Sequence, residues 1–359
     1  MRLADVLSWA KRNERRLGVV LFTFGFFTDF FTFGLLPVET VNVVFVFYLL
    51  LACACALGAH AFASFPASAL WWKKALSIIC PLGVQYAFGG LLSGFLVFYT
   101  AHSAVIASWP FLMVLLLVYI GNEYFRMYKH YLVFQTTLFF FTLYAYAVFG
   151  LPLIVKSLGP FVFIGSTTLA LLLFVVFLLL LRRINTARFD EEIRLISIAV
   201  LGIVLVISGS YAFGVIPPIP LALKDVGIYH SFSRTHEGYL GAGEAPKVWW
   251  DLRPQTLHVE PGSALYAYSA VAAPIEFGSV IVHRWEHKSE DGTWITKSKI
   301  SFPIRGGRIE GYRGYSVVGA LSEGEWRVSV ETKNGQTIGR MRFDVLFTDQ
   351  HPELFEKQL

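Results

Sequence analysis

A single acid raises the first chemical question in this chain. Asp29 lies in GFFTDFFTFG, between two glycines and among five phenylalanines. It falls twelve residues past Leu17, roughly 18 Å along a helix and beyond the middle of a ~30 Å bilayer core. An aspartate at the centre of a span costs about 2.5–3.5 kcal/mol on insertion scales. The phenylalanines offset that cost for insertion but do not solvate the charge. Asp29 must therefore face other helices, bind water or carry a proton. Thr28 and Thr32 supply hydroxyls beside it, and Tyr99, His102 and Ser103, with Trp109, gather at an outer turn. Two readings follow. One is a proton- or ligand-linked carboxylate in a polar cavity lined by these residues; the other is a hydrogen-bond anchor between helices, with interfacial anchors at the turn.

Asn122, Glu123 and Arg126 form a second polar group, at the opposite side of the membrane from Asp29. Glu123 can pair with Arg126 or Lys129 within a turn or two, or join His60 and Gln135 in a cytoplasmic-side site. Trp249, Trp250, Trp285 and Trp294, with Tyr315, are a third group. They could form an aromatic binding surface for a sugar or peptide, or serve as core tryptophans. His283 and His287 share a strand face with Trp285, about 13 Å apart, too far for one zinc ion. Cys53 and Cys55 point to opposite sides of a helix and, like Cys80, read as small packing residues. We therefore expect no metal site. No phosphate-binding glycine loop, dinucleotide fingerprint, zinc-protease helix or nucleophile elbow occurs, so no cofactor and no catalytic residue is assigned.

The elements that must position these groups follow from composition. Of 359 residues, 55% are hydrophobic and 15% charged, against about 25% charged in a soluble domain. Seven segments are long and apolar enough to cross a bilayer: Leu17–Leu36, Val41–Phe62, Ala75–Tyr99, Ala104–Gly121, Leu132–Val155, Pro160–Leu181 and Leu195–Phe213. Alternate loops carry 13 Lys/Arg on one side and only Lys156 on the other. The positive-inside rule then places the N-terminus in the cytoplasm and the C-terminal domain outside. Residues 1–16 read as an amphipathic helix on the inner leaflet, and residues 17–215 as the transmembrane domain. Residues 1–223 hold 14 Lys/Arg against 8 Asp/Glu, net +6, whereas the remainder holds 16 against 17, net −1. The basic balance thus belongs to membrane-flanking loops, and no nucleic-acid partner is expected.

Pro217, Pro218 and Pro220 make residues 216–225 a stiff exit linker. From Val226 the period changes to that of strands. In WRVSVET, Trp326, Val328 and Val330 alternate with Arg327, Ser329 and Glu331, one face dry and one wet. Asn334-Gly335 and Asp291-Gly292 are hairpin signals. Eight strands are expected: Val226–Ser233, Thr256–Glu260, Ala264–Ala272, Ser279–Lys288, Thr293–Ile300, Tyr315–Leu321, Trp326–Thr332 and Thr337–Phe347. They predict an all-β, immunoglobulin-like sandwich over 226–348, followed by a tail, 349–359. The exit IPPIPLALKDVGIYH, the strand HRWEH, the stretch YRGYSVVG and the run GEWRVSVETKNGQTIGRMRFDV resemble bacterial proteins that end in domain-of-unknown-function family 2914. Asp29, YTAHSAVIASWPF, GNEYFR and the Pro152 region resemble the membrane half of the same proteins. That family shows a basic residue after Asp29, which this chain lacks. The resemblance implies architecture and bacterial origin, and no activity.

These readings lead to a multi-pass protein of the bacterial inner membrane whose periplasmic sandwich binds an envelope protein or glycan without catalysing a reaction. The bilayer is its first partner. GLLSG, Gly90–Gly94, lets helices approach closely, within the chain or in a homo-oligomer. The alternative is a transporter or lipid-processing enzyme built on Asp29.

Overall fold

A computed structural model describes residues 24, 27–29, 31–32, 38–62, 70–102, 113–118, 132–214, 216, 221–236, 238–245, 254–274, 277–307, 310–319, 321–349 and 352–359, with backbone only at 38–39 and 98–102. The chain divides into a helical unit and a β unit.

Among the described residues of the first unit, five helices are long and apolar enough to cross a membrane: α1 (Val38–Ala61), α2 (Trp71–His102), α3 (Leu132–Val155), α4 (Pro160–Ile184) and α5 (Thr186–Ala212). They coincide with five of the seven predicted spans. The first and fourth fall largely outside the described residues, of which 27–29 and 113–118 are helical. Pro160 opens α4, where its missing N–H costs nothing, and Arg182 and Arg183 close it beside the negative helix end. Asn185 alone joins α4 to α5, its side chain accepting from the Arg188 N–H at 3.4 Å. The Tyr144 hydroxyl meets Thr167 of α4 at 2.9 Å and Ser208 of α5 at 3.4 Å, so the two helices fold back as a hairpin against α3. Phe45 of α1 packs on Phe95 of α2 at 4.7 Å and on Phe149 of α3 at 5.7 Å. The cysteines fill helix contacts: a methyl added at Gly83 would lie 2.5 Å from the Cys55 sulfur, and one at Gly58 2.7 Å from that of Cys80.

The β unit contains eleven described strands: β1 (Ala222–Tyr229), β2 (Ser231–Thr235), β3 (Gly238–Gly243), β4 (Gln255–Val259), β5 (Leu265–Ala272), β6 (Gly278–Lys288), β7 (Trp294–Arg305), β8 (Tyr312–Val318), β9 (Gly324–Thr332), β10 (Thr337–Phe347) and β11 (Phe355–Gln358). A three-stranded sheet β1-β5-β8 faces a five-stranded sheet β4-β10-β9-β6-β7. Leu265 and Ala267 of the first meet Trp285, Val328 and Phe343 of the second in the core between them. Both hairpin signals turn as expected, with Gly292 and Gly335 at φ 79° and 81°.

Three expectations need correction. Val226–Ser233 is two strands, because His230 breaks the ladder between β1 and β2. The first of them starts at Ala222, inside the stretch read as a linker: once past the prolines, the chain is free to pair with β5. The segment read as a tail carries β11, which pairs with β3 in a small third sheet, β11-β3-β2. Gly241 and Gly243 in β3 weaken the strand pattern in the sequence, and both lie against the Tyr229 ring where a side chain would collide.

Candidate functional site

Asp29 is 5% exposed, and the Ser93 hydroxyl of α2 donates to its Oδ2. Ser93 Oγ also lies 3.3 Å from the Gly90 carbonyl. The pair therefore has a bond for either state of the acid. A carboxylate accepts from Ser93, while a carboxylic acid donates to Ser93, whose own proton then turns to Gly90. Thr28 and Thr32 do not join it. Their exposed hydroxyls donate to the carbonyls of Phe24 and Thr28, at 2.8 and 2.6 Å, since a helical threonine finds an acceptor one turn back. Tyr99 and His102 lie on the α2 backbone, but their side chains, and Ser103, are outside the described residues, as are Asn122, Glu123 and Arg126. His60 at the end of α1 does meet Gln135 at the start of α3.

Other polar contacts in the helical unit also join one helix to another. Tyr146 donates to Asn42 Oδ1 at 2.7 Å, and the Tyr48 and Tyr86 hydroxyls are 3.5 Å apart. In lipid such bonds hold helices together where the hydrophobic effect cannot. The Gly90–Gly94 stripe is buried inside this unit, and a methyl at Gly90 would lie 2.7 Å from the Tyr48 ring. Its close approach is made, at Gly90, to Tyr48 of the same chain.

In the β unit, Trp249 and Trp250 are outside the described residues. Trp285 is not on a surface: it is fully buried, and its indole N–H donates to Ser316 Oγ at 2.9 Å. Period-2 alternation marks its face but does not say which face is dry. His283, two residues earlier, is fully buried too, its ring nitrogens 2.7 Å from Ser269 Oγ and 2.8 Å from Ser316 Oγ. Burial pushes its pKa down to about 4. Elsewhere Glu244 gathers two histidines, His230 Nε2 at 3.1 Å and His258 Nδ1 at 3.0 Å. Among the described residues no group could hold a metal ion.

Of the two described tryptophans in the group, Trp294 is half-buried on the outward face of the five-stranded sheet. Arg327 lies over its ring at 4.3 Å and Arg342 at 5.8 Å, cation–π distances. Strand register assembles the rest. One row across the sheet reads Arg340 (β10), Ser329 (β9), Arg284 (β6) and Lys299 (β7); the next reads Arg342, Arg327 and Glu286. Two buried carboxylates brace the arginines. Glu286 accepts from Arg327 at 2.6 and 3.0 Å, and Glu331 from Arg284 at 2.5 Å. Arg340 Nε donates to Ser329 Oγ at 3.0 Å. Burial works to raise the Glu286 pKa, but the Arg327 hydrogen bonds and the Arg284, Arg327 and Arg340 charges outweigh it, and the carboxyl lies below its ordinary value. Burial wins at Glu331, which lies above it. The sequence marks Arg327, Ser329 and Glu331 as outward, but only the register brings Arg340 and Arg284 beside them.

Residues 279–345 match the family model described as "Protein of unknown function (DUF2914)". The chain carries a DUF2914 domain. The matched segment runs from β6 into β10 and includes every residue of the two rows, both bracing glutamates and Trp294. Curated proteins give no match. Three solved structures are weakly similar. An immunoglobulin-like protein from Pseudomonas aeruginosa is 12% identical over 33% of this chain and 97% of its own, with a TM-score of 0.18. A beta-glucosidase from Listeria innocua in complex with gluconolactone is 12% identical over 33% of this chain and 16% of its own, at 0.19. An alkylpurine DNA glycosylase from Pseudomonas fluorescens, bound to DNA containing an abasic site analogue, is 10% identical over 85% and 99%, at 0.23. TM-scores this low carry no argument about the DUF2914 domain or the helices before it.

Proposed function

We propose that this protein is a seven-span anchor of the bacterial inner membrane. It holds its β domain in the periplasm, where the domain binds an envelope component without catalysis. One contrast carries the reading. Asp29, the acid that a transporter or lipid enzyme would use, meets a helix hydroxyl, Ser93, whereas the DUF2914 domain presents braced arginines and a half-buried tryptophan on one sheet face. The 13-to-1 split of basic residues between alternate loops supports the orientation.

Cysteine labelling tests the orientation. With Cys53, Cys55 and Cys80 replaced by alanine, Asp291→Cys on the β6–β7 turn should react with a membrane-impermeant maleimide in spheroplasts. Arg183→Cys, at the end of α4, should react only after lysis. The reverse pattern would put the β domain in the cytoplasm and remove the periplasmic reading. Capture from envelope extracts by the purified full chain tests the binding role.

A further inference from the structure

We infer that the outward face of the five-stranded sheet binds a linear polyanion, a polymer carrying carboxylate or phosphate groups, laid across the strands along the Arg340–Ser329–Arg284–Lys299 row. This deepens the proposed binding role and rests on it.

Charge is the first argument. The two rows hold five cations: Arg284, Arg327, Arg340, Arg342 and Lys299. The carboxylates among them, Glu286 and Glu331, are 3% and 4% exposed and already accept from Arg327 and Arg284. They neutralise one edge of each of those guanidinium groups, whose side chains remain 14% and 26% exposed. Acids reappear one row further on, at Asp344 and Glu325; Glu325 is held by Lys288 at 2.8 Å, and these acids bound the strip on that side.

Preorganisation is the second. A free arginine loses rotamer entropy when it binds. Here Arg327 is fixed between Glu286 and Trp294, Arg340 by Ser329, and Arg284 by Glu331. Donors are nevertheless left over. Arg340 donates from Nε, and its terminal nitrogens make no hydrogen bond among the described residues. Burial, then the neighbouring Arg327, holds the Arg340 pKa below its ordinary value against the pull of Glu286 and Glu331.

Shape is the third. Adjacent strands lie about 4.8 Å apart, so the row from Arg340 to Lys299 spans about 14 Å, with Arg340 and Arg284 about 10 Å apart. One phosphate or carboxylate cannot touch both ends. A chain with anionic groups repeated along it can, and the guanidinium fork suits either group.

The test uses the full chain in phosphatidylcholine nanodiscs, titrated with oligogalacturonate and with polyphosphate. Binding of either oligomer, at least tenfold tighter than galacturonate or inorganic phosphate alone, is expected; the two arms show which anion is preferred. Lys299→Gln/Arg342→Gln alters two exposed side chains and should weaken binding about tenfold or more, as should Arg340→Gln. Lys333→Gln, on the β9–β10 turn, should leave it unchanged. Binding of neither oligomer would overturn the inference, as would equal loss in the Lys333 control. Binding confined to vesicles containing phosphatidylglycerol would do the same, and would point to a lipid surface. Envelope capture that survives Lys299→Gln/Arg342→Gln while no oligomer binds would refute the polyanion and leave the binding role standing.

Discussion

The buried His283 makes the stability of the β domain depend on pH in a direction that can be worked out. Trp285 N–H donates to Ser316 Oγ, leaving the Ser316 proton for His283 Nδ1 at 2.8 Å; Nε2–H then donates to Ser269 at 2.7 Å. That network suits a neutral ring, and the Phe302 ring edge at 4.9 Å adds no counter-charge. Burial pushes the folded pKa from 6.5 to about 4. The unfolded chain therefore binds the proton first, so stability is fully present above about pH 6.5 and is lost as pH falls. Between pH 7 and pH 5 the loss is about 2 kcal/mol, and below pH 4 it approaches about 3.4 kcal/mol. His230, whose pKa burial also lowers, adds a loss of the same sign, so the measurement must isolate His283. Pulse proteolysis of the full chain in urea, for wild type and His283→Gln, provides this. The variant should be less stable at pH 7 by about 1–3 kcal/mol, since glutamine satisfies the two serines imperfectly. The gap should close by about 2 kcal/mol at pH 5. A gap that stays constant from pH 7 to pH 5 would refute the reasoning.

Two further predictions concern the helices. Ser93→Ala leaves Asp29 buried without its hydroxyl and should destabilise the membrane unit by about 1–3 kcal/mol in SDS-denaturation titrations; Asp29→Asn, which can still donate to Ser93, should cost less, and equal losses would count against the pairing. Gly90→Ala drives a methyl to 2.7 Å from the Tyr48 ring and should cost about 1–3 kcal/mol. Gly202→Ala, with nothing within 4 Å, should be neutral or stabilising by up to about 1 kcal/mol in the same assay.

How much of this was legible in the sequence depends on the range over which each signal acts. Apolar length marks a helix by itself, so Leu132–Val155 coincides with α3 residue for residue. Alternation and turn residues are equally local, and they mark β9, β10 and the Gly335 turn. The break at His230 is harder, because β1 and β2 together alternate like one strand and only their different partners, β5 and β3, separate them. Half of β3 is glycine, which weakens its alternation; its place is set in part by Tyr229, which fills the space where side chains at Gly241 and Gly243 would be.

The sites divide along the same line. Asp29 is conspicuous because one acid among phenylalanines violates the local rule for a membrane helix, yet its partner is 64 residues away, and neither Thr28 nor Thr32 competes with that distant hydroxyl once each has found a carbonyl one turn back. The arginines are the reverse case. None is conspicuous, since a charged residue on the wet face of a strand is ordinary. What sets them apart is coincidence in register: Arg340 and Arg284 flank Ser329 from either side, and Arg327 reaches Glu286 only because their strands are neighbours. A one-residue slip of β9 against β6 would turn Arg327 into the core and Val328 out to solvent, dispersing the cluster. Trp326, Val328 and Val330 forbid that slip by filling the space between the sheets. The apolar alternation thus fixes where the charges stand, and the arginine face of this domain is specified by residues buried on the other side of the sheet.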